Sequence, residues 1–327
     1  MKRLIAMMLC VCMMLGLVGC GGGDTADNKV VIYSSAEEFR NEYFLSRLNE
    51  QFPQYDITIQ YIATGNNASK LKSEGTDTEA DIVLGLETGY LISLKDMMED
   101  LSGYDTSQYL PEMVDPNHIY MTMDRESNAI IINPQILQEK GLEAPKSYED
   151  LLDPKYKGLI SMPNPKSSST GYAFLLSLCN AMGQDQALAY FEKLSGNVLQ
   201  FTSSGSGPVN ALVQGEAAIG LGMTFQAVQE INKGANLEIL YFDEGAPYST
   251  YGISVVKGRM EDPAVKEVFD FICNTLVMED KQKFVPEQIF KDQNTVIDNY
   301  PTEIPYADMT GMDDLEKKEE LLALWQY

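Results

Sequence analysis

Apolar strand segments alternate with helical segments along most of this chain, and this alternation restricts the possible folds more than any other feature. The run KVVIYSS (29–35) is β-branched and apolar, and the next segment places apolar side chains at roughly helical spacing, at Phe39, Tyr43 and Phe52. YDITIQYIA then alternates as a strand, NNASKLKSE follows as a helix, and ADIVLGL has the composition of a buried strand. Repeated strand-then-helix order predicts parallel α/β packing.

The second half of the chain continues the pattern. NAIIIN is a predicted buried strand, and PKSYEDLLDPKYKGLIS predicts a capped short helix, a turn and a new strand. Two helices follow, to about Ala181 and from Asp185 to Leu194, with predicted strands in NVLQF, AAIGLGM and LEILYF. YGISVVKG (251–258) is typical of a strand that returns, and the remaining segments are helical. These parts assemble either as two lobes joined by crossing segments or as two domains in series.

The first 20 residues have the pattern of a secretory signal. Lys2 and Arg3 precede an apolar stretch that ends in LVGC. LVGC resembles the bacterial lipobox, which implies cleavage before Cys20 and a lipid on its sulfur. An ordinary signal peptide that contains a cysteine is the alternative. Residues 21–28 are glycine-rich and polar, which is typical of a flexible tether.

Charge and rare residues exclude several functions. Acidic residues outnumber basic ones, 48 to 24, and so strong a negative charge disfavours nucleic acid and anionic lipid as partners. His118 is the single histidine of the chain, which excludes Ser-His-Asp and Cys-His catalysis and histidine metal sites. Cys179 and Cys273 lie in apolar helical stretches, where a thiol packs as a small hydrophobe. A disulfide between these two cysteines stays possible.

Three predicted strands run into helix starts that are rich in Ser and Thr. The stretches are VIYSSAEEF at Ser34 and Ser35, PNPKSSSTGY at 167–170 and QFTSSGSGPVNAL at 202–206. A helix start has amide hydrogens without intrahelical partners and a partial positive charge, so it binds anions without a full positive charge. Ordinary N-capping is the alternative, but a cap needs one hydroxyl and these stretches hold two, four and four. If the three ends converge, they form a site for a tetrahedral anion.

From VVIYSSAEEF to about Lys257 the sequence resembles the type II periplasmic binding proteins of ABC importers, in the branch that contains ferric-ion, phosphonate and sugar-phosphate receptors. SMPNPKSSSTGY, NVLQFTSSGSGPVNALVQGEAAIGLGM and ADIVLGLETGYL look most like binding proteins for 2-aminoethylphosphonate. The resemblance implies an α/β fold of two lobes with the ligand in the cleft between them. It further implies a monomer that binds a small anionic solute without chemistry or cofactor and delivers it to a permease and its ATPase. The lipid anchor is then its single attachment to the membrane.

The same resemblance implies a division of the chain. Lobe 1 is expected at 29–127 plus 252–285 and lobe 2 at 128–251. The segment 286–327 is expected to form C-terminal helices that pack across the lobes.

The hydroxyl stretches and the resemblance indicate the same candidate ligand-binding residues. These are Ser34, Ser35, Ser168, Ser169, Thr170, Ser204, Gly205 and Ser206. An amine on the ligand is expected at Glu87 with Tyr90, or at Tyr33, by charge pairing or cation–π contact. Tyr248 and Tyr251 are candidates to close over the cleft. The alternatives are a solvated acid for Glu87 and hinge packing for the two tyrosines.

Other cargoes and one other class remain as alternatives. Ferric-ion relatives hold iron with adjacent tyrosines, but the matching stretch GLGMTFQAV has none, and SSAEE stands where some relatives have a histidine. Iron bound in that way is therefore not expected and no metal site is predicted, while a ferric-ion cargo stays an alternative for the same fold. A polyamine attracted by the acidic surface is a second cargo for the same fold. A lipid-anchored hydrolase with paired carboxylates is the alternative from another class.

Overall fold

A computed structural model describes residues 28–327 and places nine strands in one mixed sheet. The predicted signal (1–20), Cys20 and nearly all of the predicted tether lie outside the described residues. The strands are β1 (Lys29–Ser34), β2 (Asp56–Tyr61), β3 (Ile82–Glu87), β4 (Met121–Ile132), β5 (Ile160–Pro163), β6 (Val198–Thr202), β7 (Ile219–Met223), β8 (Glu238–Leu240) and β9 (Tyr248–Val255).

Helices cover both faces of this sheet. They are α1 (Glu38–Gln51), α2 (Thr64–Glu74), α3 (Thr88–Ser93), α4 (Pro134–Glu139), α5 (Ser169–Met182), α6 (Gln184–Ser195), α7 (Gly207–Val213), α8 (Thr224–Asn232), α9 (Pro263–Phe271), α10 (Val277–Lys283) and α11 (Leu315–Leu324). A π-helical stretch, Ile272–Leu276, joins α9 to α10. Within residues 28–327, no helix combines the length and apolar character needed to span a bilayer.

The sheet consists of two parallel parts joined by an antiparallel centre. Its strand order is β2-β1-β3-β9-β4-β7-β5-β6, and β8 pairs with β4. β1 is parallel to β2 and β3, and β5 is parallel to β6 and β7. β9 runs antiparallel to β3 on one side and to β4 on the other. The prediction of parallel α/β packing therefore holds for each part, while the two central strands form the connection between them.

The hydrophobic core divides along these central strands. On β4, Met121 and Met123 belong to a core cluster with β1 and α9, whereas Ile130 and Ile132 belong to a cluster with α5 and α6. The exact division of the chain stays a prediction, and we use lobe 1 and lobe 2 for the two predicted ranges. Because β4 and β9 cross between the clusters, residues at their middle lie where the two lobes meet.

The C-terminal segment differs from its prediction. Among residues 286–327, the expected set of helices is replaced by irregular chain and one helix, α11. Pro286, Pro301 and Pro305 explain the difference, since proline lacks an amide hydrogen and keeps the preceding residue out of helical geometry. Leu321 and Trp325 are buried in the core cluster of lobe 2.

Cys179 and Cys273 are both buried and free, and they belong to different core clusters. The disulfide that the sequence left open is therefore not formed in this structure.

Candidate functional site

A cleft lies between the lobes at the starts of α1, α2, α5 and α7. Lobe 1 contributes the turns at 35–37 and 63–64, and lobe 2 contributes 167–170 and 204–206. The space not occupied by atoms, the open mouth included, is about 440 Å³. Tyr61, which is 45% exposed, stands at the end of β2 on the lobe 1 side.

The three hydroxyl-rich stretches converge on this cleft. Eight of the thirteen residues named from the sequence line it: Ser35, Ser168, Ser169, Thr170, Ser204, Gly205, Ser206 and Tyr251. The N-cap residues of α1, α5 and α7 are Glu37, Ser168 and Ser206, and within the described residues none of them makes a side-chain capping bond. Capping therefore does not account for the surplus hydroxyls, and their role in binding stays a prediction.

Ser34 and Tyr248 lie outside the cleft lining. The Ser34 hydroxyl donates to Oδ1 of Asn41 at 2.6 Å and accepts the Ala36 amide at 3.2 Å, so it fixes the turn from β1 into α1. The Tyr248 ring packs against Tyr306, with ring centroids 5.2 Å apart. Both side chains have structural roles here.

Glu87, which like Tyr33 and Tyr90 lies outside the cleft lining, is fully buried rather than solvated. It forms an ion pair with Lys318 of α11. The Lys318 ammonium also lies 4.0 Å from the ring centroid of Tyr90 in lobe 1 and 4.3 Å from that of Tyr172 in lobe 2. Burial raises the pKa of Glu87 and lowers that of Lys318. Tyr33 is also buried, with Lys70 over its ring, so neither acceptor predicted for an amine is positioned to receive one.

Arg40, which the sequence analysis missed, lies at the floor of the cleft. Its side chain is 1% exposed, and all of its donor nitrogens are engaged by carboxylates. Nε and Nη2 donate to Asp280 at 3.0 and 2.8 Å, Nη2 also donates to Asp124, and Nη1 donates to Glu126 and, at 3.2 Å, to Glu37. Five donor hydrogens therefore meet five acceptor contacts. The guanidinium is held in place by its acids and has no donor left for a ligand.

Burial lowers the pKa of Arg40, but the surrounding carboxylates, Asp280 first, raise it well above its usual value. The guanidinium is therefore charged at any physiological pH.

Three of these acids, Glu37, Asp124 and Glu126, line the cleft. Burial raises the pKa of Glu126 well above its usual value, and the charges of Asp124 and Glu37 add to that rise. Burial also raises the pKa of Glu37, against the opposing effect of Arg40. For Asp124, burial is outweighed by Arg40 and Lys281, and its pKa is lowered. The cleft therefore combines neutral hydroxyl donors with an acidic floor.

The two lobes touch across the cleft. The amide of Gly65 in α2 donates to the carbonyl of Ser167 at 3.4 Å, and a Cβ at Gly65 would lie 2.6 Å from the carbonyl oxygen of Lys166. Within lobe 2, the Ser169 hydroxyl is 2.6 Å from that of Tyr251 on β9, which fixes the start of α5 against the crossing strand. The chain is thus in a closed arrangement with little space between the lobes.

Solved structures share this architecture. The periplasmic binding protein AfuA from Actinobacillus pleuropneumoniae, with fructose-6-phosphate bound, matches with a TM-score of 0.81 at 23% identity, over 91% of this chain and 97% of that chain. The likeness confirms the predicted two-lobe fold of type II periplasmic binding proteins. The family model described as bacterial extracellular solute-binding protein matches residues 78–310, and the chain belongs to that family.

Curated relatives agree with this class. The putative 2-aminoethylphosphonate-binding periplasmic protein of Salmonella typhimurium is 24% identical over 260 residues, which is 76% of this chain and 75% of the relative. The thiamine-binding periplasmic protein of Brucella abortus is 25% identical over 249 residues, 71% of this chain and 70% of the relative. The predicted class, an extracytoplasmic solute-binding protein of ABC import, is confirmed, and the relatives differ in the solutes for which they are named.

Proposed function

We propose that this protein captures a small solute that carries a phosphorus oxyanion, a phosphonate or phosphate ester such as 2-aminoethylphosphonate. The observation that carries the proposal is the meeting of three Ser/Thr-rich helix starts in one cleft, with N-cap side chains free of capping bonds among the described residues. Their hydroxyls and first-turn amides are the donors that a tetrahedral oxyanion requires.

Neutral donors, rather than a cation, bind the anion in this proposal. Arg40 is saturated by carboxylates, so the hydroxyls of Ser168, Ser169 and Thr170 and the start of the 14-residue helix α5 are the main donors. A hydrogen bond to a charged group contributes about 1.5–3 kcal/mol, so a few such bonds bind an oxyanion while still permitting its release to a permease.

The relatives support the same class of cargo. The Salmonella protein is named for 2-aminoethylphosphonate, and the AfuA structure contains fructose-6-phosphate. A second candidate, a cationic cargo such as a polyamine, is favoured by the three carboxylates of the cleft floor.

Delivery completes the proposed function. The protein hands its solute, as a monomer, to the permease of an ABC importer driven by its ATPase. A lipid on Cys20 holds it at the outer face of the membrane, a role supported by LVGC and the glycine-rich stretch after it.

The test compares the affinities of four ligands and then the effect of removing one hydroxyl, that of Thr170. The chain that begins after Cys20 is titrated calorimetrically with phosphate, 2-aminoethylphosphonate, fructose 6-phosphate and spermidine. Thermal unfolding is a second readout, because a ligand at a hundred times its dissociation constant adds about 2.7 kcal/mol to the free energy of unfolding. Thr170→Val keeps the shape of the side chain and removes its hydroxyl, so the affinity for the phosphorus ligand should fall about tenfold or more.

The matched control is Ser177→Ala on the same helix, because the Ser177 hydroxyl donates to the Phe174 carbonyl, away from the cleft. It should leave affinity unchanged. Binding of spermidine alone, or an unchanged affinity in Thr170→Val, would contradict the proposal.

A further inference from the structure

We infer that the ligand is a zwitterion, and that Glu37, Asp124 and Glu126 hold its ammonium group while the hydroxyl-rich helix starts hold its phosphorus oxyanion. This inference rests on the proposed function, because it concerns the second end of the same ligand. It replaces the predicted acceptor Glu87, which is already paired with Lys318.

The charges of the cleft floor do not balance without a further cation. Glu37, Asp124, Glu126 and Asp280 surround Arg40, so four carboxylates face one guanidinium. Lys281 is buried and interacts electrostatically with Asp124, Asp280 and Glu126, so it is the second cation of this cluster, and four acids still face only two cations. A ligand ammonium would supply the missing positive charge from the open side.

An unpartnered oxygen marks where the ammonium binds. Asp124 is 0% exposed, and its Oδ2 accepts from Arg40. Among residues 28–327, no donor hydrogen-bonds to its Oδ1, and Lys281 Nζ likewise makes no hydrogen bond. A buried carboxylate oxygen without a donor is costly. An ammonium has three donors, which suits the three carboxylates that line this wall.

The protonation of the cluster supports the same conclusion. The pKa of Glu126 is raised well above its usual value, chiefly by burial and then by the charges of Asp124 and Glu37. The raised pKa of Glu126 reflects burial and the negative charge of its neighbours at this wall, and a bound cation would offset that charge.

The two ends of the ligand are close together. Tyr251 hydrogen-bonds to Ser169 at 2.6 Å, and the charge of Glu126, after burial, raises the pKa of Tyr251. Tyr251 thus lies between the hydroxyl-rich stretch and the acidic wall. An ammonium only a few bonds from the phosphorus fits this arrangement.

The experiment compares two ligands that differ at one group. Propylphosphonate has a methyl group where 2-aminoethylphosphonate has its ammonium, and both are titrated against the chain that begins after Cys20. The native sequence should bind 2-aminoethylphosphonate about tenfold or more tightly than propylphosphonate. In Asp124→Asn the ratio of the two affinities should fall toward one.

The matched control is Glu38→Gln, which removes an exposed acid next to Glu37 that does not line the cleft, and it should keep the native ratio. Should Asp124→Asn fail to fold, Glu37→Gln decides, because Glu37 lies at the partly exposed edge of the cluster. A structural role would lower both affinities together and leave their ratio intact.

Equal affinity of the native protein for the two phosphonates, or an unchanged ratio in the folded variants, would overturn the inference and leave the proposed function standing. Failure to bind either phosphonate, or phosphate or fructose 6-phosphate, would overturn both.

Discussion

At the scale of single residues, Glu126 is a buried carboxylate whose negative charge is unfavourable in the cleft. It is buried, it accepts from Arg40, and its pKa is raised by burial and by Asp124 and Glu37. A carboxyl whose pKa is raised on folding binds its proton more tightly in the folded than in the unfolded state. Its favourable contribution to the free energy of unfolding is therefore present at low pH. That contribution is lost as pH rises from the ordinary pKa of a glutamate to the raised pKa of the folded state.

Glu126→Gln should consequently stabilise the ligand-free protein at high pH. Glutamine keeps an oxygen for Arg40 and has no charge to bury, so the free energy of unfolding at pH 8 should exceed that of the native protein by roughly 1 kcal/mol or more. The difference should shrink toward pH 4.5. Urea unfolding at the two pH values measures it, with Glu42→Gln, an exposed acid on α1, the helix that contains Arg40, as control. An equal change at both pH values would be inconsistent with this account of Glu126.

Helix α11 is the element that ties the lobes together from behind the cleft. Lys318 pairs with Glu87 of lobe 1 and lies against Tyr172 of lobe 2, while Leu321 and Trp325 are buried in the core of lobe 2. Removing one partner of a buried ion pair leaves the other charge uncompensated, which costs more than losing both.

Lys318→Met should therefore lower the free energy of unfolding by about 3–5 kcal/mol. The double variant Glu87→Gln with Lys318→Met should lose clearly less, because no uncompensated charge remains. Urea unfolding of the single and double variants measures the difference. Lys317→Met is the control, since that ammonium donates to oxygens of Asn180 and Thr310 and has no buried carboxylate partner among residues 28–327. If the double variant were as unstable as the single, the uncompensated charge of Glu87 would not be the cause of the loss.

The elements also show why the sequence predicted part of the site. The Ser/Thr-rich helix starts are local patterns, so the sequence indicated them, and the sheet brought them together. For β4, NAIIIN predicted a strand, but its first half contains Asp124 and Glu126, which are typical of exposed chain. These acids are buried because Arg40, more than 80 positions away, binds them. Local periodicity carries no information about such a long-range contact.

At the scale of the whole molecule, the lobes can close because Gly65 has no side chain where it meets the loop before α5. Gly65 lies in the first turn of α2, where alanine is at least as favourable a helix former. In the closed arrangement a Cβ there would lie 2.6 Å from the Lys166 carbonyl oxygen, so closure would require the loop to move.

Gly65→Ala should therefore disfavour the closed state without weakening the ligand-free fold. The affinity for the phosphorus ligand should fall about tenfold, since a ligand that binds the closed state loses whatever closure costs. Titration calorimetry measures this, and thermal unfolding without ligand should be unchanged. Gly103→Ala is the control, because a Cβ there meets no atom of residues 28–327 within 4 Å. Native affinity in Gly65→Ala would show that this contact does not limit closure.

The contact between Gly65 of lobe 1 and Ser167 of lobe 2 also affects how long a solute stays bound. With the lobes together, a solute at the cleft floor has no wide path to solvent, so its escape rate cannot exceed the rate at which the lobes separate. Residence time then reports on the hinge strands β4 and β9 as much as on the strength of the ligand contacts. A permease that pulls the lobes apart would shorten that time without altering any group that touches the solute.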